Sequence, residues 1–376
     1  MKKIQMVDLK SQYNFIKNEV AENMSQVFET STFVNGPMVD AFQADMESYL
    51  NVKHVIPCAN GTDALQIALM GFKLDDGDEV ITSDFTFAAT AEVISLLNLK
   101  LVLVDVDPRT FNIDPKAIEK VITSKTKAIV PVHLFGQCAA MDSILELAKK
   151  YDLFVLEDNA QAMGATHNFI NGKEAKTGTL GNAGATSFFP SKNLGAYGDG
   201  GAIFTNDDQL AHSIRAIANH GMSKRYYHDV VGLNSRLDAL QASVLKVKLQ
   251  YLDFYNERRK EAAIRYTDYF KNHQNLVTPY RAGACNSHVF HQYTLRVIDS
   301  DRDALVDYLN KHEIPCGLYY PLPLHSQKAY TDPKVDSANF PVTNQLVKEV
   351  ISLPMHSELT NDQIDYISST VLEFFS

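Results

Sequence analysis

The chain has 376 residues, of which 45% are hydrophobic and 21% are charged, as in a globular protein with a large domain and a smaller one. The 35 Lys and Arg residues are outnumbered by 45 Asp and Glu, and the formal net charge of −10 argues against binding to nucleic acid or to an anionic membrane. No segment reaches the roughly 18 apolar residues of a membrane span, and the first residues lack the apolar run of a secretory signal.

Predicted strands and helices alternate regularly in the first half of the chain. The strands are short and almost continuously apolar, which is typical of a mostly parallel sheet covered by helices on both faces. Ligands of such sheets bind beyond the carboxyl ends of the strands, so functional residues are expected there. The predicted strands are 80–84, 101–106, 127–132, 153–157, 185–189 and 201–205, and the predicted helices are 62–71, 88–98, 114–123 and 141–151.

The second half of the chain has a different pattern. A long helical stretch over 236–272 places apolar residues such as Leu237 and Val244 on one face. Strands and helices no longer alternate regularly beyond it, which predicts a smaller α+β domain. We expect a large α/β domain over residues 1–250 and a small C-terminal domain over 251–376. The further predicted elements are strands 289–297 and 314–319 and helices 301–312, 342–351 and 360–374.

The segment NGTDAL (60–65) begins the first predicted helix. Gly61 lets the backbone approach a ligand, and Thr62 can cap the helix or donate its hydroxyl to a phosphate. The free amides and the dipole of a helix N-terminus favour an anion. A plain turn with a helix cap has the same residue types, so this segment alone leaves both interpretations open.

Two acids, Glu157 and Asp158, end an apolar predicted strand. Burial raises the pKa of a carboxyl group there unless a cation or hydrogen-bond donors meet it. The protonated ring nitrogen of a bound cofactor is one such cation. A helix cap is the alternative role for a single acid in this position.

Lys192 lies in the aromatic and glycine-rich stretch SFFPSKNLGAYGDGG (187–201). A partly desolvated lysine has a lowered pKa and becomes a nucleophile and base near neutral pH. Most lysines are solvated surface charges. The aromatic residues before Lys192 and the glycines after it instead predict a tight loop against a ligand.

A phosphate-binding turn, a strand-end acid and a desolvated lysine thus follow one another within one α/β domain. Pyridoxal phosphate (PLP) requires these three groups, at its phosphate, its ring nitrogen and its aldehyde. Phe85 and Phe87, just after the first predicted strand, could stack on the ring or pack in the core. The combination predicts a PLP enzyme in which Lys192 forms the Schiff base.

The chain resembles the fold-type-I PLP enzymes, and among them the nucleotide-sugar aminotransferases of the DegT/StrS group. The resemblance runs from VDLKSQY (7–13) to LPMH (353–356), and SFFPSKNLGAYGDGGA and GLNSRLDALQA are highly specific motifs. It implies that Lys192 is the Schiff-base lysine and that Asp158 pairs with the pyridine nitrogen. The other implied cofactor contacts are Gly61, Thr62 and Ser187 at the phosphate, Gln161 at the 3-oxygen of the ring, Phe87 against the ring, and Asn234 at the phosphate from a second subunit.

The resemblance also implies a reaction in two halves. An amino acid, L-glutamate, would convert PLP to pyridoxamine phosphate, which would then aminate a nucleotide-linked keto sugar for the synthesis of a surface polysaccharide or related glycan. CANGTDALQIALM (58–70) and YYPLPLH (319–325) are most similar to enzymes that aminate carbon 3 of a UDP-linked sugar. Arg236, Tyr319 and Tyr320 are the implied substrate contacts, and the shared phosphate site implies a homodimer.

Two alternatives to transamination remain open. Some members of this fold have a histidine in place of the lysine and act as dehydratases, so a PLP-dependent dehydratase or lyase is one, although Lys192 favours transamination. The other is a non-catalytic sensor or regulatory protein, which would not need a Schiff-base lysine. His133 ends another predicted strand, either near the cofactor or as a satisfied structural histidine.

The remaining patterns concern metals, dinucleotides and location. The histidines lack the spacing of a metal site, and no GxGxxG follows the first strand, so neither a metal nor a dinucleotide cofactor is expected. The sequence does not specify the sugar, the aminated carbon or the nucleotide. Reduced thiols in a cytoplasmic protein are expected because no paired spacing or CxxC occurs among Cys58, Cys138, Cys285 and Cys316.

Overall fold

The computed structural model describes residues 3–281 and 288–376. In chain order, its helices are α1 (Leu9–Thr30), α2 (Pro37–Leu50), α3 (Gly61–Gly71), α4 (Ala88–Leu96), α5 (Pro115–Val121), α6 (Met141–Tyr151), α7 (Asp208–Ala218), α8 (Ala239–Gln250), α9 (Leu252–Phe270), α10 (Arg302–Lys311), α11 (Pro341–Glu349) and α12 (Asn361–Phe374). Its strands are β1 (His54–Cys58), β2 (Glu79–Ser83), β3 (Lys100–Val104), β4 (Thr126–Val130), β5 (Phe154–Asp158), β6 (Thr166–Asn168), β7 (Glu174–Lys176), β8 (Ala183–Ser187), β9 (Gly201–Thr205), β10 (Met222–Lys224), β11 (Tyr227–His228), β12 (Leu276–Val277), β13 (Tyr293–Val297) and β14 (Val350–Leu353).

The central sheet has the strand order β1-β9-β8-β5-β4-β2-β3. Its pairs from β8 to β3 are parallel, whereas β9 runs antiparallel to both of its neighbours. This confirms the predicted α/β fold with a mostly parallel sheet. Because β1, β2, β4, β5 and β8 run in the same direction, the loops that follow them meet at one edge of the sheet.

Helices cover both faces of the central sheet. Successive side chains of a strand point to opposite faces. Val80 accordingly lies in a core that α3, α4 and α7 help to build, and Ile81 lies in the core beneath α5 and α6. Burying each such side chain contributes about 1.5–3 kcal/mol. Among the helices of the described residues, none combines the length and the apolar character that a membrane crossing needs.

The C-terminal part is built around the antiparallel sheet β12-β13-β14. Its core joins α9, α10 and α12 to this sheet, with Tyr266, Leu305, Ile351 and Ile367 fully buried. Ile4, from the other end of the chain, belongs to the same core. The boundary between two domains at residue 250 stays a prediction.

The long predicted helix over 236–272 is wrong as a single element. It begins three residues later than predicted, and Tyr251 separates α8 from α9. No glycine or proline marks this break in the sequence, so the helical periodicity alone predicts continuity.

Two predicted elements near the C-terminus also differ from the structure. The predicted strand 314–319 is not a strand, because only Gly317 forms a bridge, to Ser352. The predicted helix 342–351 ends at Glu349, since β14 follows at once and pairs with β13. The strand that pairs with β13 on the side opposite β12 is therefore the segment directly after α11.

No disulfide bond joins the described cysteines Cys58, Cys138 and Cys316. Cys58 and Cys138 are buried, and Cys316 is partly exposed. Burial raises the pKa of the Cys58 thiol well above its ordinary value, so this thiol stays protonated. Cys285 lies outside the described residues.

Candidate active site

The N-terminus of α3 lies against the end of β8. Asn60 caps the helix, and its Oδ1 accepts from the backbone N–H of Asp63 at 2.8 Å. The amides of Gly61 and Thr62 precede the first intrahelical hydrogen bond and are therefore available to a ligand. A Cβ atom on Gly61 would lie 2.6 Å from Cβ of Ser187, so only glycine permits this approach.

Ser187 adds a hydroxyl group to this helix terminus. Its Oγ accepts from the backbone N–H of Phe189 at 3.2 Å, which leaves its own hydrogen for another acceptor. Together with the hydroxyl of Thr62 and the two amides, it forms a set of donors around the positive end of a helix dipole. Such a set suits a phosphate group.

Asp158 ends β5 and is buried. Its Oδ2 accepts from the hydroxyl of Thr90 at 2.8 Å, and its Oδ1 accepts from the backbone N–H of Ala160 at 3.1 Å. These two bonds fix the carboxylate and leave it lone pairs for a further donor.

Glu157, the residue before Asp158, has a structural role. Its carboxylate accepts from three backbone amides of residues 178–181, at 2.6–2.8 Å, and lies 2.8 Å from Nε2 of His133. Nδ1 of His133 accepts from the backbone N–H of Ala139 at 3.1 Å, so Nε2 donates to the carboxylate. His133 is thus a satisfied structural histidine.

Lys192 follows a tight turn after β8. Its backbone N–H donates to the carbonyl of Phe189 at 2.8 Å, and a Cβ on Gly195 would lie 2.4 Å from the carbonyl of Pro190. Among the described residues, its amine has no hydrogen-bond or ion-pair partner at contact distance. Burial lowers the pKa of Lys192 to about 8, and the nearby charge of Asp158 offsets part of this effect. The structure therefore brings a reactive amine near the strand-end acid.

Gln161 and Tyr320 join the two halves of the chain beside Asp158. Gln161 Oε1 accepts from the backbone N–H of Phe135 at 2.8 Å, and its Nε2 donates to the hydroxyl of Tyr320 at 3.1 Å. Burial raises the pKa of Tyr320, and the charge of Asp158 adds to the effect although the bond from Gln161 opposes it. Tyr320 therefore lies beside the predicted cofactor contacts, rather than only on the substrate side.

Phe87 caps α4 with its ring largely open to solvent. The side chain is 58% exposed, and its ring centroid lies 6.4 Å from that of Tyr320. An exposed aromatic face at this edge of the sheet is available for stacking. Its neighbour Phe85 is buried and packs edge-on against Tyr320 at 5.9 Å.

The remaining predicted residues lie on the segments before α8 and after α10. Asn234 is exposed, whereas the hydroxyl of the next residue, Ser235, donates to Asp63 in the first turn of α3 at 2.6 Å. Arg236 is partly buried, and the ring of Tyr319 lies 6.2 Å from that of Tyr320. Residues 3–281 and 288–376 contain no group of three or more His, Cys, Asp or Glu side chains that could hold a metal ion.

Sequence analysis did not identify Thr90 or Asp84. Thr90 is a hydroxyl residue on the buried face of the mostly apolar helix α4, and this was the available signal for a buried acceptor nearby. Asp84 follows β2 and bonds His325, which is 241 residues away in the sequence. Nothing local to either residue predicts that contact.

Comparison with known proteins agrees with this geometry. The DegT/DnrJ/EryC1/StrS aminotransferase family matches over residues 14–372. The chain is 45% identical over 374 residues to a "pleiotropic regulatory protein" of Geobacillus stearothermophilus, which covers 99% of this chain and 98% of that protein. It is 43% identical over 368 residues to a UDP-2-acetamido-2-deoxy-3-oxo-D-glucuronate aminotransferase of Pseudomonas aeruginosa, with 98% and 99% covered.

A solved structure has the same fold over the full length. The crystal structure of S. venezuelae DesV in complex with a ketimine intermediate superposes with a TM-score of 0.94 at 34% identity, and 100% of this chain and 99% of that chain are covered. These matches confirm the resemblance found in the motifs. The chain belongs to the DegT/DnrJ/EryC1/StrS aminotransferase family.

Proposed function

We propose that this PLP-dependent aminotransferase transfers the amino group of L-glutamate to a nucleotide-linked keto sugar. The observation that best supports the proposal is the meeting of a lysine of lowered pKa, a held carboxylate and a phosphate-binding helix terminus at one sheet edge. The relative from P. aeruginosa acts on a UDP-linked 3-oxo sugar by its name. We extend that substrate class, with carbon 3 as the aminated position, to this chain.

The residues at this edge fit PLP. The donors of Gly61, Thr62 and Ser187 suit its phosphate, the lone pairs of Asp158 suit its ring N–H, and Lys192 suits its aldehyde. The close approach of Gly61 to Ser187, which a Cβ atom would prevent, holds the phosphate donors together. When bound, PLP supplies an aldehyde carbon that bonds to amines and a protonated ring that withdraws electrons from the carbon being deprotonated.

Lys192 would act twice in the reaction. With a pKa of about 8, a useful fraction of its amine is neutral near physiological pH and can hold the cofactor covalently. Once the amino acid has displaced it, the same amine could remove the proton from the α-carbon and deliver it to C4′, the former aldehyde carbon of the cofactor. No ion pair to this amine occurs within residues 3–281 and 288–376, which leaves the amine free for the transfer.

Asp158 would hold the proton of the ring nitrogen throughout. The bonds from Thr90 and Ala160 keep its carboxylate in one orientation. Gln161 would contact the 3-oxygen of the ring, and Phe87 would cover one face of the ring. Arg236, Tyr319 and Tyr320 would contact the nucleotide sugar.

We propose a homodimer with shared sites as the working unit. Large apolar side chains are exposed on α1 and on the segment before Asn234, among them Phe28 at 56% and Val231 at 85%. Exposed apolar groups of this size are typical of a surface that another protein covers. A second copy seated there could bring its Asn234 to the phosphate. The absence of a disulfide bond among the described cysteines supports a cytoplasmic location.

A half-reaction tests the proposed activity against its alternatives. The holoenzyme incubated with L-glutamate alone should release one equivalent of α-ketoglutarate per active site. A dehydratase, a lyase or a purely regulatory protein would release none. Full turnover should then appear with one member of a panel of UDP-, dTDP- and GDP-linked keto sugars, and failure with every member would contradict the proposed acceptor class.

A further inference from the structure

Asp84 ties the C-terminal half of the chain to the end of β2. Its carboxylate accepts from the backbone N–H of His325 at 2.8 Å and lies 2.7 Å from Nδ1 of the same residue. Its backbone carbonyl accepts from the N–H of Leu324 at 3.1 Å. Asp84 is buried and accepts three hydrogen bonds, which hold two consecutive residues of a distant segment.

The ring of His325 is also held on its other side. Its Nε2 lies 3.0 Å from the hydroxyl of Ser337, and the ring stacks on Phe340 with centroids 4.6 Å apart. A carboxylate only accepts, so Nδ1 is the donor to Asp84. The imidazole cannot turn without losing bonds at both nitrogens. Burial raises the pKa of Asp84, and the hydrogen bonds from His325 oppose this effect. The buried carboxylate therefore depends on His325 for its stabilisation.

A short and stiff connection links this pair to Tyr320. Only four residues, Pro-Leu-Pro-Leu, separate Tyr320 from His325, and each proline fixes its backbone φ. Phe85, the neighbour of Asp84, packs edge-on against the ring of Tyr320 at 5.9 Å. Asp84 and Phe85 therefore contact the two ends of the same segment.

The hydroxyl of Tyr320 can still act as a donor. It accepts from Nε2 of Gln161 at 3.1 Å, so its own hydrogen is available to a substrate or cofactor atom. One hydrogen bond at the tip of the side chain does not fix where the backbone lies. The bonds of Asp84 and His325 supply that second constraint.

We propose that Asp84 and His325 form a positioning pair that holds the hydroxyl of Tyr320 in the active site. The pair touches neither substrate nor cofactor and acts through the segment 320–325. Loss of the pair should lower kcat while the cofactor stays bound and KM changes little. The inference rests on the proposed function in one respect, because kcat is measured for the proposed reaction.

Asp105 offers a matched control. It follows β3 and, like Asp84, uses its carboxylate to hold the C-terminal half of the chain. It accepts from the backbone N–H groups of Val342 and Thr343 at 2.8 and 2.9 Å and from the hydroxyl of Thr343 at 2.7 Å. Asp105→Asn therefore weakens a comparable anchor that holds the start of α11, outside the segment 320–325, although α11 borders the hydrophobic cluster against which Tyr320 packs.

The first measurement is hydrogen exchange of the peptide that covers residues 318–326 in the holoenzyme. His325→Ala should exchange faster than wild type there, and His325→Asn, whose amide can replace the Nδ1 donor, should restore most of the protection. Asp105→Asn should change this peptide much less than His325→Ala does, because Asp105 bonds no residue of the segment 320–325. Equal exchange in wild type and His325→Ala would overturn the proposal. This measurement does not depend on which sugar the enzyme uses.

The second measurement is a double-mutant cycle on kcat. We expect His325→Ala to lower kcat by about ten- to a hundredfold, as misplacement of a reacting group does. In a Tyr320→Phe background the same change should have little further effect, whereas any loss from Asp105→Asn should be the same in both backgrounds. Full additivity of His325→Ala and Tyr320→Phe would show that the pair does not act through Tyr320.

Two provisions keep the outcome interpretable. If His325→Ala does not fold, Ser337→Ala removes the outer bond to the imidazole, together with a bond from the side-chain amide of Asn344 at 3.2 Å, and should change exchange and kcat in the same direction by a smaller factor. No change in either quantity would then count against the pair. If wild type aminates no keto sugar, the proposed function fails, and the α-ketoglutarate half-reaction still provides the rate for the cycle.

Discussion

Two lysines of this protein have a lowered pKa but differ in their access to a ligand. Burial lowers the pKa of Lys192 to about 8 and that of Lys248 to about 7. Lys248 is only 2% exposed, and its amine lies 4.6 Å from the ring centroid of Tyr197, which leaves no approach for a substrate. Lys192 is partly exposed and lies near Asp158. A lowered pKa therefore identifies a catalytic lysine only together with access and a neighbouring acid.

The acylation rate of Lys192 in the cofactor-free protein should rise as pH passes through about 8. Burial disfavours the charged amine, so the neutral nucleophile is present above that pH, whereas an ordinary lysine needs about two units more. Competitive labelling with acetic anhydride, read out by mass spectrometry, measures this rate. Asp158→Asn should move the midpoint lower because the negative charge of Asp158 raises the pKa of Lys192. A midpoint near 10 would contradict the assignment.

Asp158→Asn should leave the cofactor bound and reduce the rate of the glutamate half-reaction by about three orders of magnitude, or ~4 kcal/mol of transition-state stabilisation. A neutral amide cannot hold the proton on the ring nitrogen. Thr90→Val is the matched control, since it removes the bond at 2.8 Å but keeps the carboxylate, and should cost much less. Stopped-flow measurement of α-ketoglutarate release gives both rates. A loss of less than tenfold in Asp158→Asn would exclude the ring-nitrogen role.

At the scale of elements, the position of α3 decides how tightly a phosphate is held. Gly61→Ala would force the helix away from Ser187, because its Cβ would lie 2.6 Å from the serine Cβ. We expect the Kd for PLP to rise at least tenfold, which corresponds to ~1.4 kcal/mol. Titration of the cofactor-free protein, followed by absorbance, measures this change.

Gly71→Ala, in the last position of the same helix, is the control. Its Cβ would meet only side-chain carbons of Leu210 and Ile214, at 3.0 Å, and these can shift. Alanine is also the better helix former. The Kd for PLP should stay at the wild-type value in this variant. Equal values for Gly61→Ala and wild type would show that the helix terminus does not hold the phosphate.

The elements differ in how well their sequences predict them. Strands β2, β4 and β5 each contain consecutive buried apolar residues, such as Val80 and Ile81 or Val155 and Leu156, and these short runs without alternation are the reason that the prediction succeeds. Helix α1 was not predicted, because only Ile16, Val20 and Val27 of its 22 residues are buried. The first two residues of strand β14, Val350 and Ile351, fall within the predicted helix 342–351, because β14 follows α11 without a turn residue and a short apolar run continues the helical pattern.

The residues of the candidate site that lie within a sequence motif could be predicted. Gly61, Ser187 and Lys192 lie in segments whose glycines and aromatic residues indicate a ligand. The contact between Asp84 and His325 depends on how the C-terminal half of the chain packs onto the sheet, and no local pattern encodes that packing. The same holds for the bond from Gln161 to Tyr320, which joins residues 159 positions apart.

At the scale of the whole molecule, a single chain offers a phosphate only part of the donors that it needs. The same chain leaves apolar side chains exposed in the segment that contains Asn234. The phosphate carries a charge near −2, and the donors from α3 and Ser187 include no cation or side-chain amide. Asn234 is exposed in the segment that also presents Val231. A two-fold dimer in which each Asn234 reaches the other subunit would satisfy both features.

Subunit mixing tests the shared site. Lys192→Ala chains and Asn234→Ala chains, allowed to exchange, should regain activity, because a mixed dimer contains one site with Lys192 from one chain and Asn234 from the other. Random exchange of equal amounts makes about half of the dimers mixed, so activity should approach about a quarter of the wild-type value. Lys192→Ala mixed with Asp158→Asn is the control and should stay inactive, since both residues belong to the same sheet edge of one chain. If native mass spectrometry shows complete exchange and the first mixture still gains nothing, Asn234 serves its own subunit.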